Sequence, residues 1–297
     1  MIDVTILTDK RYHNPTTLTP YIQNVLDEDN ALLIALEERG ANVYRTYWDN
    51  PNFDWSSTKY ILFRTTWDYF DRFDEFSKWL EKVNKLTTLI NPKSLIYWNI
   101  DKHYLLDLEK QGVRIPPTEF IEQGDHRSLT EVITTTKWDD FILKPTVSGA
   151  ARHTYKINRN DILKFETRFS ELVAKESMMV QEYQKQITTK GEVAFMVFGG
   201  KFSHAVLKKA KSGDFRVQDD FGGTVEVYHP TEEEIQFAEE IVSKLKPMPV
   251  YARVDVIWNN DDLICIGEVE LIEPELWFRM DSFAAEKCAK AIIDYIN

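Results

Sequence analysis

Three carboxylates near the carboxyl-terminal end have types and spacing suited to holding a metal ion. Residues 251–278 read as two strands around a polar turn, because turn-forming residues separate two apolar, β-branched runs. A register with Asp255 opposite Ile266 is expected. By strand alternation it places on one face Arg253, Asp255, Glu268 and Glu270. The other face is apolar and holds Val254, Val256, Cys265, Val269 and Leu271.

Two interpretations of this carboxylate hairpin stay open from its residues alone. Three carboxylates on half-buried strands repel one another and lose hydration, and a hard divalent cation with oxygen ligands would compensate both effects. The alternative is a solvated charged face on which Arg253 pairs with Glu268.

Two lysines stand where an anionic ligand would need them. Asn99 is a predicted helix N-cap, which puts Lys102 in a first helical turn, where a cation is favoured only beside an anion. A second apolar strand runs into Lys144 and a loop at 146–154. The loop is rich in small residues, which allow close approach of a ligand: Ser148, Gly149, Ala150 and Ala151. The GxxxxGK[ST] and GxGxxG spacings are absent.

The first 95 residues alternate strands and helices, which predicts a parallel sheet with helices on its faces. One of these helices is predicted over Ala31 to Arg39, closed by Gly40. Ligands bind such sheets beyond the carboxyl ends of strands, where Arg64, Trp67 and Asp68 are expected to meet a substrate. The alternative is that Arg64 pairs with Asp68 and that Trp67 packs in a domain interface.

Composition narrows the choice of partners. The chain has 297 residues, of which 43% are hydrophobic and 28% charged, and its net charge of -12 comes without a basic run. Nucleic acid and anionic membranes are therefore not expected as partners. No apolar run approaches the roughly 20 residues of a membrane span. Cys265 and Cys288 stand alone, so neither a zinc site nor a disulfide is indicated, and a cytoplasmic location is expected.

The order of these residues resembles the ATP-grasp superfamily over about residues 90–297, in the branch that contains bacterial glutathione synthetase and the ligase that adds glutamates to a ribosomal protein. The resemblance is carried by Lys102, Lys144 with its small-residue loop, Gln181-Glu182-Tyr183, Gly191-Glu192, the GDFR at 213–216, Asp255 and Glu268-x-Glu270. RTTWDY at 64–69, the segment 91–113 and EVELIEPELWF at 268–278 resemble a narrower group. That group includes a cyclo-ligase that closes O-ureido-D-serine to cycloserine.

The resemblance implies an α/β protein with two parts. A parallel-sheet pre-ATP-grasp domain (1–95) would precede a two-lobed α+β ATP-grasp domain (96–297), with lobes of about 96–180 and 181–297. It also implies the ligand-binding roles of individual residues. Phosphates would be held by Lys102, Lys144, Ser148 and Gly149, adenine by Gln181, Glu182 and Tyr183, ribose by Glu192, and the γ-phosphate by the catalytic Lys208 and Arg216. Two Mg²⁺ ions, or Mn²⁺ in their place, would be carried by Asp255, Glu268 and Glu270, the last standing where the family usually has asparagine.

The activity implied is ATP-dependent joining of a carboxylate to an amine, or ring closure, through an acyl phosphate. The substrate is expected to be a small amino-acid-like carboxylate held by Arg64, Trp67, Asp68 and Arg253, and a homodimer is compatible with the sequence. Two alternatives stay open. One is a phosphotransferase of the same fold, and the other is a nucleotide-binding module without catalysis.

Overall fold

The computed structural model describes residues 1–149, 151–211, 213–214, 216–217 and 222–297. Two loops predicted to bind phosphate, at 146–154 and 211–223, are therefore described in part. The remaining positions, Ala150, Ser212, Phe215 and 218–221, lie outside the described residues. Within the described chain, three β-sheets are built by three successive segments.

The first sheet is parallel, as the alternation of strands and helices predicts. Its strands are β1 (Ile2–Thr8), β2 (Val43–Tyr47), β3 (Thr58–Thr65) and β4 (Thr88–Ile90), in the order β2-β1-β3-β4. Its helices are α1 (Lys10–His13), α2 (Pro20–Glu37) and α3 (Phe73–Val83). The buried side chains of Trp48, Phe63 and Phe76 join α3 to the sheet in an aromatic core.

Helix α2 is twice as long as the predicted helix over residues 31–39. It begins after Thr19, whose side chain accepts a hydrogen bond from the N–H of Ile22, and Pro20 occupies the first turn. Gly40 follows its end with a positive φ of 86°, in agreement with the predicted stop. The additional turns carry Glu28, a buried residue that contacts the loop beside the site.

Two short helices, α4 (Lys93–Ile100) and α5 (Tyr104–Lys110), lead from the first sheet to the second. The second sheet is antiparallel, with the order β5-β8-β6-β7. Its strands are β5 (Thr118–Ile121), β6 (Asp140–Pro145), β7 (Tyr155–Asn158) and β8 (Met178–Glu182). Helices α6 (Leu129–Thr134) and α7 (Ile162–Val173) cover one face. A capping box of Ser128 and Glu131 opens α6.

The third sheet is also antiparallel and has the order β11-β10-β9-β12-β13. Its strands are β9 (Glu192–Phe198), β10 (Lys201–Lys209), β11 (Thr224–Tyr228), β12 (Tyr251–Trp258) and β13 (Ile264–Glu270). Helix α8 (Glu232–Lys244) packs against β9 and β10, and α9 (Ala284–Ile296) packs against α2 of the N-terminal segment. The predicted α/β class, with a parallel sheet before an antiparallel ATP-grasp-like part, is confirmed.

The predicted division of the chain stays a prediction, although the first sheet does lie within residues 1–95. Strand β8 continues through the predicted lobe boundary at 180/181, so Gln181 and Glu182 belong to the second sheet. Among the helices of the described residues, none is long and apolar enough to cross a membrane.

The predicted register of the β12–β13 hairpin is wrong, because a β-bulge interrupts it. Asp255 lies opposite Glu268 rather than Ile266, and Val256 lies opposite Ile266, which leaves Gly267 as the extra residue. The face predicted to be charged is nevertheless correct. The bulge reverses the alternation, so that Ile266 takes the place predicted for Cys265 on the apolar face, beside Val254, Val256, Val269 and Leu271.

Candidate active site

A cavity of about 380 Å³ lies where the three sheets meet. Its walls come from the connection after β3, the turn between α4 and α5, strands β6 and β8 of the second sheet, and strands β9, β10, β12 and β13 of the third. Most residues predicted to bind nucleotide, metal or substrate line it: Lys102, Lys144, Ser148, Gly149, Gln181, Glu182, Tyr183, Glu192, Lys208, Arg216, Arg253, Asp255, Glu268, Glu270 and Trp67.

Lys102 lies in the turn between α4 and α5, not in the first turn of a helix. Asn99, the predicted N-cap, instead lies inside α4, where its side-chain amide donates to the carbonyl of Val269 and accepts from the N–H of Leu271. These bonds fix α4 to β13. The Lys102 ammonium then reaches the Ser148 carbonyl at 2.7 Å and the Glu268 carboxylate at 3.0 Å.

Lys144 differs from the other cations of the cavity. Strand β6 presents it to the interior, and its ammonium makes no hydrogen bond or ion pair with any residue that the structure describes. Burial lowers the pKa of Lys144, the nearby charge of Glu268 opposes this shift, and the charge of Lys102 adds to it. A partly desolvated cation that makes no direct ion pair within the described residues is well suited to bind an anionic ligand.

The carboxylates of the hairpin form ion pairs with cations on neighbouring strands. Asp255 accepts from Arg253 at 2.8 Å and from Lys208 at 3.1 Å. Lys208 also pairs with Glu192, and Arg253 with Glu270. Arg253 therefore pairs with Asp255 and Glu270, not with Glu268 as the alternative interpretation predicted. The hairpin is a buried network of paired charges rather than a solvated face.

The donor set of this network fits a hard divalent cation. Asp255, Glu268 and Glu270 offer only carboxylate oxygens. Burial raises the pKa of Glu270 to about 7, Arg253 opposes this shift, and the charges of Glu268 and Asp255 add to it, so negative charge is in excess at this position. As the side chains stand, no group of three or more acidic, His or Cys residues in the described chain is arranged around a single point.

Gly191 and Gly149 allow close packing next to residues that are predicted to bind ribose and phosphate. Gly191 has a φ of 84° and lies against the carbonyl of Lys208, where a Cβ atom would clash, and Glu192 follows it opposite Lys208. Gly149 lies so close to the ring of Phe70 that a side chain there would also clash. The phosphate-loop candidate thus packs on the N-terminal segment.

The predicted adenine contacts are partly occupied by the protein itself. The N–H of Glu182 donates to the carbonyl of Pro117, and that of Tyr183 donates to the carbonyl of Asp140. The side chain of Gln181 donates to Thr118 at 2.9 Å. The carbonyls of Glu182 and Tyr183 also accept hydrogen bonds, from the side chains of Gln184 at 2.8 Å and Asn260 at 3.1 Å. A base would therefore meet backbone groups that already have protein partners. Arg216 also lines the cavity and pairs with Asp214 at 2.7 Å.

Three of the four predicted substrate residues, Arg64, Trp67 and Asp68, lie in the N-terminal segment. Of these three, Trp67 lines the cavity and the other two do not. Asp68 accepts hydrogen bonds from the indole of Trp48 and the guanidinium of Arg72, outside the cavity. Arg64 is 1% exposed and pairs with Glu28, so its side chain points away from the cavity. Arg64 and Asp68 do not pair with each other, which rules out the predicted alternative for that pair.

Several residues of the wall were not predicted from the sequence: Arg11, Tyr12, Tyr21, Tyr69, Glu273 and Trp277. Arg11 and Tyr12 follow the carboxyl end of β1, so the rule applied to β3 would have found them. Tyr12 packs edge-on against Trp67 at 5.6 Å between ring centroids. Glu273 and Trp277 lie in the loop after β13, in a segment whose letters support the resemblance but carry no separate signal of contact.

The stability of the ligand-free protein is expected to depend on Glu273. Burial, and next the charge of Glu270, raises the pKa of Glu273 to about 8. A carboxyl group whose pKa is raised by folding stabilises fully below its unfolded pKa of about 4.5, and this stability is lost as the pH rises through about 8. Between pH 5 and 8, the free energy of unfolding should fall by at least about 1.4 kcal/mol more in the wild type than in Glu273→Gln. Urea titrations in metal-free buffer measure this, and equal slopes would contradict it.

Comparison with known proteins defines the class of this fold and site. The family model described as the prokaryotic glutathione synthetase ATP-grasp domain matches residues 113–274. The chain therefore belongs to the ATP-grasp family and is an ATP-binding ligase, which confirms the enzyme class that the resemblance implied. A second model, described as the N-terminal domain of D-cycloserine synthetase DcsG, matches residues 4–91.

Individual relatives agree with these two family matches. The cycloserine biosynthesis protein DcsG of Streptomyces lavendulae is 26% identical over 268 residues, which cover 84% of this chain and 87% of that protein. The crystal structure of D-cycloserine synthetase DcsG has a TM-score of 0.86 at 24% identity and covers 99% of both chains. D-alanine–D-alanine ligase from Bacillus anthracis has a TM-score of 0.68 at 15% identity, covering 100% of this chain and 97% of that one. These two structures share the fold.

Proposed function

We propose that the protein phosphorylates the carboxylate of a small amino-acid-like substrate with ATP and then lets an amine or similar nucleophile displace the phosphate. The carboxylate oxygen attacks the γ-phosphorus and ADP leaves, and the nucleophile then attacks the acyl carbon and phosphate leaves. The arrangement of charge in the cavity carries this proposal. Lys144, which makes no ion pair within the described residues, and Lys102, which pairs with Glu268, lie in the same cavity as the Lys208–Asp255–Arg253 network. Phosphoryl transfer needs mainly such positioning and charge neutralisation.

The roles of the residues follow from this placement. Lys102 and Lys144 would hold the α- and β-phosphates, with Ser148 and Gly149 beside them, and Glu192 would bind the ribose. Lys208 and Arg216 would neutralise charge on the transferred phosphoryl group, and Arg253 would orient the substrate carboxylate through its planar guanidinium. When bound, Mg²⁺ ions on Asp255, Glu268 and Glu270 would neutralise phosphate charge. Arg64 and Asp68 are left out of the substrate site because they lie outside the cavity.

 
The names of the relatives support a first choice of carboxylate substrate. The two matches to DcsG, by name a cycloserine synthetase, make an amino acid with a ureido or aminooxy side chain the first substrate to test. A cavity of about 380 Å³ is within the usual size of a small-molecule site. Ring closure within one substrate would need a single molecule besides ATP, since carboxylate and nucleophile then belong to the same molecule.

The experiment that tests the proposal separates an acyl phosphate from the alternatives. ADP release is measured with each candidate carboxylate, with and without hydroxylamine, which converts an acyl phosphate to a hydroxamate. A hydroxamate that forms only with ATP and the carboxylate supports the ligase mechanism. A stable phosphorylated product would identify a phosphotransferase, and nucleotide binding without ADP release from any substrate would leave a binding module. Either result would overturn the proposal.

Replacing Lys144 should have opposite effects on binding and on stability. Lys144→Met removes a charge-assisted contact worth about 1.5–3 kcal/mol, so the Kd for MgATP should rise about 10- to 100-fold. Because burial lowers the pKa of Lys144, its charged form destabilises the folded protein below about pH 10, and the ligand-free variant should melt at a higher temperature. Calorimetry and thermal unfolding measure the two effects.

The matched control for this variant is Lys110→Met, which removes a lysine whose side chain is 74% exposed on α5. It should leave both the MgATP affinity and the melting temperature near the wild-type values. An unchanged MgATP affinity in Lys144→Met would show that Lys144 does not contact the nucleotide.

A further inference from the structure

Trp277 combines two unfavourable features at the edge of the cavity. Its backbone is in the left-handed region, with φ 45° and ψ 49°, which is rare for a bulky residue. The residue is 3% exposed, and its indole N–H is buried without a hydrogen-bond partner in the described chain. Costs of this kind persist only where surrounding contacts impose them, and they are concentrated at functional sites.

The indole ring lies against two cations of the proposed phosphoryl-transfer site. The guanidinium carbon of Arg253 is 5.1 Å from the ring centroid, and the ammonium of Lys208 is 5.6 Å from it. Both cations also pair with Asp255. A desolvated aromatic face attracts cations through its quadrupole, so the ring and the Asp255 carboxylate together restrict where the two cations can lie.

The loop that carries Trp277 is held by the N-terminal segment. The carboxylate of Glu28, on α2, accepts hydrogen bonds from the N–H groups of Leu276 at 2.9 Å and Phe278 at 3.0 Å, one on each side of Trp277. Arg64, on β3, pairs with Glu28 and donates to the carbonyl of Pro274 at 3.0 Å. Glu28 of helix α2 and Arg64 of strand β3, neither of which lines the cavity, thereby fix the backbone on both sides of the ring.

We propose that Trp277 is a positioning residue for the ligase reaction, which holds Arg253 and Lys208 in their working positions, and that the buried Glu28–Arg64 pair sets the position of its ring. The proposal rests on the proposed function for the chemistry that the two cations perform. It assigns Arg64, which the sequence placed in the substrate site, a role exerted through the backbone of the loop.

Two substitutions of Trp277 separate the cation-binding face from the rest of the side chain. Trp277→Leu removes the aromatic face, and kcat should fall by about 10-fold or more, because small errors in position are costly in phosphoryl transfer. The KM for ATP should stay within about 3-fold, since Lys102 and Lys144 do not contact the ring. Trp277→Phe retains an aromatic face without the N–H and should keep kcat within about 3-fold of the wild type.

Glu28→Gln tests the second half of the proposal at a residue that does not line the cavity. It should lower kcat in the same direction as Trp277→Leu, again with little change in the KM for ATP. The matched control for Trp277→Leu is Trp55→Leu, which truncates another buried tryptophan, in the aromatic core of the N-terminal segment. This control should lower the melting temperature and leave kcat per folded molecule unchanged.

Three results would overturn the inference: a folded Trp277→Leu protein with wild-type kcat, a Trp277→Phe protein as impaired as Trp277→Leu, or equal losses in kcat and ATP affinity. If the wild type releases no ADP with any substrate, the proposed function fails, and a crystal structure of Trp277→Leu decides the inference separately. Displacement of Arg253 from Asp255 in that crystal would support it, and unchanged positions of Arg253 and Lys208 would overturn it.

Discussion

Replacing Glu268 with glutamine should lower kcat by at least about 100-fold while the protein stays folded. Glutamine keeps the shape of the side chain and removes the charge that pairs with Lys102 at 3.0 Å and that is proposed to bind Mg²⁺. ADP release at saturating Mg²⁺ measures the loss. The concentration of Mg²⁺ needed for half-maximal activity should also rise, which distinguishes a lost metal ligand from a lost ion pair.

The effect of this change on stability should be small and should depend on pH. Burial opposes ionisation of Glu268, but the charges of Lys102 and Lys144 outweigh it and lower the pKa of this carboxyl group. Its contribution to stability is therefore present above its unfolded pKa of about 4.5 and is lost as the pH falls through the lower folded pKa. Glu268→Gln should melt slightly earlier than the wild type at neutral pH, and the difference should disappear in strong acid.

The control for Glu268→Gln is Glu226→Gln, which neutralises an exposed carboxylate paired with Lys209 on the edge of the third sheet. Its turnover should equal that of the wild type, because exposed ion pairs contribute little. Near-normal turnover of Glu268→Gln under saturating Mg²⁺ would show that Glu268 is not a metal ligand.

Replacing Arg64 with methionine should reduce the free energy of unfolding by about 3–5 kcal/mol. The change leaves the carboxylate of Glu28 buried without its cation and removes the hydrogen bond to the carbonyl of Pro274. Urea denaturation followed by circular dichroism measures the loss. The kcat per folded molecule should fall in the same direction as in Glu28→Gln, while the affinities for ATP and for the carboxylate substrate should stay close to the wild-type values.

A compensating substitution provides the control for Arg64→Met. The double variant Arg64→Met/Glu28→Gln no longer buries an unpaired charge and should recover part of the lost stability. A stable Arg64→Met protein in which only the KM for the carboxylate rises would instead show that Arg64 grips the substrate.

Local patterns in the sequence predicted most of the elements of the fold. The strand–helix alternation of the first 95 residues forms the predicted parallel sheet, Gly40 follows the end of α2 as predicted, and capping boxes open α6 and α8. These features depend on neighbouring residues and on the alternation of apolar side chains. Strand β5 was missed because its residues, Thr118–Ile121, are only partly buried and lack a distinct apolar pattern.

The charged residues of the site could be predicted from their spacing in the sequence and from the family resemblance. Lys102, Lys144, Lys208 and the hairpin carboxylates meet in one cavity, although Lys102 lies in a turn rather than in a helix. The contact between Glu28 and Leu276 joins residues 248 positions apart, and nothing in the local sequence of either indicates the other. For the same reason, the burial of Arg64 could not be distinguished from exposure at the end of a strand.

The β-bulge at Gly267 shifts the alternation of side chains along β13 by one position. Before and after this glycine, inward and outward positions follow opposite parity, so a regular alternation describes each half of β13 but not both. Deleting Gly267 would make Ile266 the direct neighbour of Glu268, opposite Val256 and Asp255 in regular register. The core residues and the carboxylates at 268 and 270 would then keep their faces in an unbroken ladder, so the bulge changes the local bend and twist of the strand rather than the sorting of its side chains.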